Sequence, residues 1–159
     1  MAYLIDGNNF LGYTSPSTRN SLRTRQNLIA KLLKFQEIKN TRIILVFDGA
    51  PQLELISQKL RTRRFNLLFP HPGENADERI KEIISRESDL RRFYVVSSDR
   101  AIRSYTQSKG ARSLRCEEFN RELRKALKVY RNKLDEKKNF PSPTRLETAH
   151  WLEVFKKKR

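Results

Sequence analysis

With a single cysteine, Cys116, the chain cannot close an internal disulfide. Its two histidines, His71 and His150, are too few to complete a Cys/His zinc site with that one thiol, so any bound metal has to be held mainly by oxygen. No run of apolar residues approaches the length that spans a bilayer. Met1-Ala2-Tyr3-Leu4-Ile5-Asp6 also lacks the basic start and apolar stretch of a signal peptide, so the expected location is the cytoplasm. Negative charge is short as well: 18 Asp and Glu face 34 Lys and Arg, a formal net charge of +16. A polyanion is the expected partner, with counterion release supplying much of the affinity; nucleic acid comes first and an anionic membrane surface second.

What the chain does contain is a regular alternation of apolar runs and amphipathic stretches. Its 159 residues suit one domain, 1–159, large enough for a real core. Ala2 to Ile5 reads as a buried strand followed by a turn at Asp6-Gly7-Asn8-Asn9. Leu28, Ile29, Leu32 and Leu33 recur at helical spacing among basic residues. Arg42 to Phe47 is β-branched and without alternation, as in a strand covered on both faces, and it ends in Asp48-Gly49. Pro51 to Arg64 is ambiguous, and Phe65 to Phe69 reads as a further strand. Asn75 reads as the N-cap of a helix carrying Ile80, Ile83 and Ile84, with Glu78 as its capping-box partner. Phe93 to Val96 is a strand, about Arg100 to Ser108 a helix stopped by Lys109-Gly110, and Ser113 to Cys116 a last short strand. Phe119, Leu123, Ala126, Leu127, Tyr130 and Leu134 mark one face of a long basic helix, and from about 141 a basic helical extension with Leu146, Trp151, Leu152 and Phe155 closes the chain. This order predicts an α/β, three-layer sandwich: a mainly parallel central sheet with helices on both faces.

Four of the six aspartates, Asp6, Asp48, Asp77 and Asp99, fall where a strand ends or a helix begins. Each has an ordinary explanation in turn or cap chemistry. Turns and caps are equally served by Ser, Thr, Asn or Gly, however, and this chain uses those freely elsewhere. In an open α/β sheet, carboxylates at several strand ends converge on the crevice beyond the carboxyl edge, and they repel one another unless a cation lies between them. Mg²⁺ or Mn²⁺ is the matching cofactor, since both take carboxylate and water oxygens. Asp6, Asp77 and Asp99 are the candidate metal ligands and Asp48 the supporting acid. Asn8 is placed to bond the site or a phosphate, and Ser98 to orient Asp99. Among the cations, Arg19, Arg23 and Arg25 near the first sheet edge, and Arg61, Arg63 and Arg64 further on, are candidates for holding phosphates beside the acidic centre. Phe10, Tyr13 and Tyr105 are candidates for stacking on unpaired bases, with packing an equally good reading of each.

Tyr3-Leu4-Ile5-Asp6-Gly7-Asn8-Asn9, Val46-Phe47-Asp48-Gly49, Gly73-Glu74-Asn75-Ala76-Asp77 and Val95-Val96-Ser97-Ser98-Asp99 together resemble the motifs of the NYN domains of the PIN-like nuclease superfamily, in particular the YacP-like branch. The resemblance runs from Tyr3 to about Phe119. It implies a compact PIN-like, Rossmann-like fold, a divalent-metal centre on Asp6, Asp77 and Asp99 with Asp48 nearby, and endoribonuclease cleavage of RNA, with ribosomes or translated messages as the setting. Asn75 stands where the family more usually has Thr, and Arg115-Cys116 where a Ser and a small residue are expected; neither removes an implied ligand. A non-catalytic RNA- or ribosome-binding module with the same fold is the competing class. A phosphoacceptor signalling domain fits less well, because a single acid ends the first strand and the net charge suits a polyanion.

Overall fold

The computed structural model describes residues 1–56 and 64–139. Among the described residues five short segments, the first four mainly apolar, become strands: β1 (Ala2–Asp6), β2 (Arg42–Val46), β3 (Phe65–Leu68), β4 (Phe93–Val96) and β5 (Arg112–Leu114). They pair in parallel throughout, in the order β3-β2-β1-β4-β5. Between and after them run α1 (Gly7–Thr14), α2 (Leu22–Lys39), α3 (Leu53–Ile56), α4 (Ala76–Arg86), α5 (Arg100–Ser108) and α6 (Cys116–Asn139). The sheet winds outward from β1 in one direction through β2 to β3, and then resumes at β4 on the other side of β1. This reversal is the point where open α/β sheets leave a crevice.

Strands buried on both faces need apolar residues at every position, and β1 is buried along its whole length. Its alternate side chains supply two separate cores. Tyr3 and Ile5, with Ile43, Leu45 and Phe47, pack against Phe10, Leu28, Ile29, Leu32, Phe35, Phe119 and Leu123 of α1, α2 and α6. Ala2 and Leu4, with Ile44 and Val46, pack against Ile80, Ile84 and Ile102 of α4 and α5. Three layers result, as the pattern predicted. The parallel register aligns Asp6 with Val46, and Ile5 with Val96. Asp6, Asp48 and Asp99, lying at or just beyond those residues, therefore emerge at one edge of the sheet.

Helix ends follow local chemistry. Asn40 closes α2 in the left-handed conformation at φ 49°, which Asn tolerates better than most residues. After α5, Gly110 at φ 84° lets the Gly110 and Ala111 amides return to the Gln107 and Thr106 carbonyls of the last turn.

Two expectations are corrected. The turn after Asp6 is instead the start of α1, because Asp6 Oδ1 accepts from the Asn9 amide as an N-cap. Cys116, expected in the last strand, opens α6, and β5 ends at Leu114. Part of the ambiguous segment is the short helix α3. The C-terminal extension from about 141 lies outside the described residues. Among those described, no helix is long and apolar enough to cross a membrane.

Candidate metal centre and RNA-facing crevice

Asp6 is the most enclosed of the four acids, 4 % exposed at the end of β1. Its Oδ1 accepts from the Asn9 amide at 3.4 Å and its Oδ2 from the Ser97 hydroxyl at 3.1 Å. Burial outweighs both bonds and pushes its pKa up to about 6, and the charged groups acting on it, Asp77 and Asp99, are both carboxylates that raise it further. Asp77, in the first turn of α4, is raised too: burial contributes most and Asp99 next, with Lys81 one turn along the helix opposing them. Asp99 caps α5, its Oδ1 accepting from the Ile102 amide at 3.0 Å.

Asp48 acts through the backbone. Its Oδ1 accepts from the Gly49 amide at 3.0 Å and from the Ala76 amide at 3.3 Å, which ties the turn after β2 to the start of α4 beside Asp77. Asn8 Oδ1 accepts from the Asp48 amide at 2.9 Å and from Arg25 Nη2 at 3.2 Å, while its Nδ2 donates to Asn20 Oδ1 at 3.3 Å. Asn75 Oδ1 accepts from the Glu78 amide at 2.9 Å, the Asn75 half of the expected capping box.

Asp6, Asn8, Arg19, Asn20, Asp48 and Asp77 line a crevice of about 380 Å³. Asp99 is not among its lining residues but acts electrostatically on both Asp6 and Asp77. An acidic donor set of this kind suits a hard divalent cation: burial and mutual repulsion disfavour the charged forms of Asp6 and Asp77, and carboxylate oxygens are the ligands that Mg²⁺ and Mn²⁺ take. The four acids are drawn together without closing tightly. Among the described residues, the group of three with ligand atoms all within 4.8 Å is His71, Glu74 and Glu82, which could hold a metal. An arginine already serves that cluster. Arg79 Nη1 lies 2.9 Å from His71 Nε2 and 3.1 Å from Glu82 Oε2, and Arg86 Nη2 lies 3.1 Å from Glu82 Oε1. The Arg79 hydrogen bond leads in keeping the Glu82 carboxyl below its ordinary range, so a metal would have to displace a cation already in place.

The arginines divide. Arg19 lines the crevice, and Arg23 is exposed on the first turn of α2. Arg25, expected on the RNA-facing surface, is 5 % exposed. Its Nη1 donates to Gln52 Oε1 at 2.8 Å, its Nη2 also reaches the Asp48 carbonyl at 3.3 Å, and its guanidinium lies 4.6 Å over the Phe47 ring. Arg25 thus pins the Asp48 turn from beneath. Arg64, expected beside the acids, precedes β3, and its carbonyl accepts from the Ile43 amide near the start of β2. In a parallel sheet this is the amino edge, about 13 Å from the carboxyl edge by the rise of four strand residues. Arg61 and Arg63 lie outside the described residues. Of the aromatic candidates, Phe10 is buried in the core, Tyr105 is half-buried and Tyr13 is 50 % exposed.

Two contributors escaped the sequence reading. Ser97, fully buried, donates to Asp6 and accepts from the Asp99 amide at 3.1 Å, so it joins the ends of β1 and β4. Ser98, expected in that role, turns its hydroxyl to the Cys116 amide at 3.1 Å. Asn9 Oδ1 accepts from the Ser98 amide at 2.8 Å and from Cys116 Sγ at 3.1 Å, fastening α1 to the turn that carries Asp99. Burial raises the Cys116 thiol pKa, in keeping with its part as a donor.

Comparison with known proteins bears on the family and the fold. The family model of the YacP-like NYN domain matches residues 3–157. YacP of Bacillus subtilis (strain 168) is 30 % identical over 101 residues, which cover 60 % of this chain and 59 % of that relative, less than two thirds of its length. A crystal structure of Bacillus subtilis YacP superposes with a TM-score of 0.71 at 24 % identity, covering 100 % of this chain and 94 % of that one. A point mutant of the same protein gives 0.71 at 21 %, over 89 % and 86 %. At these identities the two structures speak for the fold.

Proposed function

Because the chain belongs to the YacP-like NYN domain family, we propose that its aspartate crevice cleaves RNA phosphodiester bonds with the help of Mg²⁺ or Mn²⁺. The observation that carries this reading is the mutual repulsion of Asp6, Asp77 and Asp99 at the sheet's reversal point, where a protein of net charge +16 has gathered carboxylates and, among the described residues, no cation offsets the raised Asp6. Electrostatic repulsion of this kind is costly unless a bound cation makes use of it. Asp6, Asp77 and Asp99 are the residues that would hold the ion, which when bound supplies Lewis-acid polarisation of a phosphodiester and a more acidic water.

The chain's own groups do the rest. Ser97 and Asn9 orient the Asp6 carboxylate, and the Asp48 bond to the Ala76 amide fixes the first turn of α4 and with it Asp77. Arg19, exposed on the crevice wall, is suited to a phosphate oxygen, and Arg23 adds positive charge nearby. RNA is the proposed substrate, and ribosome-associated or translated messenger RNA in the cytoplasm the proposed setting.

Purified protein is expected to cut single-stranded RNA with Mg²⁺ or Mn²⁺ and to stop on chelation. Asp77→Asn is expected to abolish cutting while leaving the melting temperature and RNA affinity nearly unchanged. Retained cutting by that variant would remove the site assignment. The spacing of the acids, which is wider than that of His71, Glu74 and Glu82, favours the second reading, a non-catalytic RNA-binding module. Calorimetry with Mn²⁺ separates the two, since a module without a working centre shows no heat that depends on Asp6 or Asp77.

A further inference from the structure

A second cleft, of about 640 Å³, opens between α1, α2 and α6. Its floor is apolar, with Phe10, Leu11, Leu28 and Leu123 all buried. Its rim carries Tyr13, half exposed, the amides of Asn27 and Asn120, and the cations Lys31 and Arg124. Among the described residues, no carboxylate lines it. Nothing in the metal-centre chemistry uses these groups.

We propose that this cleft binds an unpaired nucleobase of the same RNA strand whose phosphate enters the aspartate crevice, with Tyr13 stacking on the base. The inference rests on the RNA-cleaving reading of the crevice and names a specificity subsite for it. Position supports it first. One short helix, α1, serves both cavities: Asn8 in its first turn lines the crevice and Tyr13 near its end lines the cleft, about 7.5 Å apart along the axis at 1.5 Å per residue. Arg19, on the crevice wall, lays its guanidinium against Gly12 in the last turn of α1, with Nη1 3.7 Å from where a Cβ would stand. A cation of the crevice wall thus reaches the α1 residue next to Tyr13, on the path a linking phosphate would take.

Chemistry supports it second. An exposed aromatic ring gives any base a stacking face, and the Asn27 and Asn120 amides each offer a donor and an acceptor to a base edge. Lys31 and Arg124 suit the phosphates on either side. A helical peptide partner would want exposed apolar anchors, whereas the apolar groups here are buried in the floor. A duplex would not free a base to enter.

The test measures binding of a fluorescent single-stranded RNA 12-mer, and separately of heparin as a polyanion without bases, by the full chain in chelator. Tyr13→Ala is expected to weaken RNA binding roughly 5- to 150-fold, the equivalent of about 1–3 kcal/mol for one stacked base, and to leave heparin affinity within twofold. Tyr13→Phe is expected to match the parent on both. Unchanged RNA affinity in Tyr13→Ala, or an equal loss on RNA and heparin, would overturn the subsite. Cleavage with Mn²⁺ keeps the two claims apart. If the parent chain fails to cut yet RNA binding depends on Tyr13, the nuclease reading fails and the base cleft stands. If the parent cuts while Tyr13→Ala binds equally and cuts at the same positions, the cleft alone fails.

Discussion

Replacing Asp6 by Asn should stabilise this protein when no metal is supplied, against the usual expectation for a buried polar residue in the core of a motif. The Asn9 amide keeps an acceptor in the new carboxamide oxygen, and the new NH₂ group can donate to Ser97 Oγ. What is removed is a carboxylate whose folded-state pKa lies at about 6 against an ordinary 3.8, chiefly through burial. The folded chain therefore binds that proton more tightly than the unfolded chain does. Stability contributed by Asp6 is fully present below pH about 4, falls as pH rises toward 6, and is constant above that. A shift of about two units at about 1.36 kcal/mol each sets a ceiling of ~3 kcal/mol, and ~1–3 kcal/mol is the expected gain for Asp6→Asn at pH 7.5. For a domain of this size that corresponds to roughly 2–10 °C in melting temperature. Thermal melts in EDTA from pH 4 to 8 measure it: the two curves should diverge between pH 4 and 6 and run parallel above. Saturating Mn²⁺ should then raise the parent toward or past the variant, since a ligand at a hundred times its Kd adds about 2.7 kcal/mol. A variant less stable than the parent at pH 7.5 in EDTA, or a difference independent of pH, would refute the reasoning.

Other perturbations follow from single contacts. Gly7→Ala would place a Cβ 2.5 Å from Phe47 Cδ1 and 2.9 Å from the Val46 carbonyl, so a loss of about 1–3 kcal/mol in urea melts is expected. Ser97→Ala removes the hydroxyl that joins Asp6 to the Asp99 amide; about 1–3 kcal/mol of stability should go, and the Asp6 carboxyl should titrate still higher by NMR. Arg25→Met leaves Gln52, Asn8 and the Asp48 carbonyl without their common donor, and faster amide hydrogen exchange across residues 48–52 should accompany a loss of about 1–3 kcal/mol.

The layered sheet was legible because each apolar run is bounded by residues that cannot continue it, and because β1 and β2 lack the alternation of a half-exposed strand. The start of α1 was not legible. Asp6-Gly7-Asn8-Asn9 is made entirely of turn formers, and only the cap bond to Asn9, with Gly7 close against Phe47, turns the same letters into a helix. The acids were legible as a set because strand ends in a parallel sheet share an edge. The arginines were not, because charge is written in the sequence while burial and sheet edge are not: Arg25 is drawn inward by Gln52 and Asn8, and Arg64 falls at the amino edge. Ser97 and Ser98 are adjacent and chemically identical, so which of them turns toward Asp6 is decided only when β4 lies beside β1.

Asp6, Asp77 and Asp99 are proposed to hold together the divalent ion that serves RNA cleavage. Anomalous scattering from crystals soaked in Mn²⁺ tests it most directly. A manganese peak is expected among those three carboxylates, and it should disappear in Asp6→Asn. A peak at His71, Glu74 and Glu82 instead, or one that persists unchanged in Asp6→Asn, would contradict it.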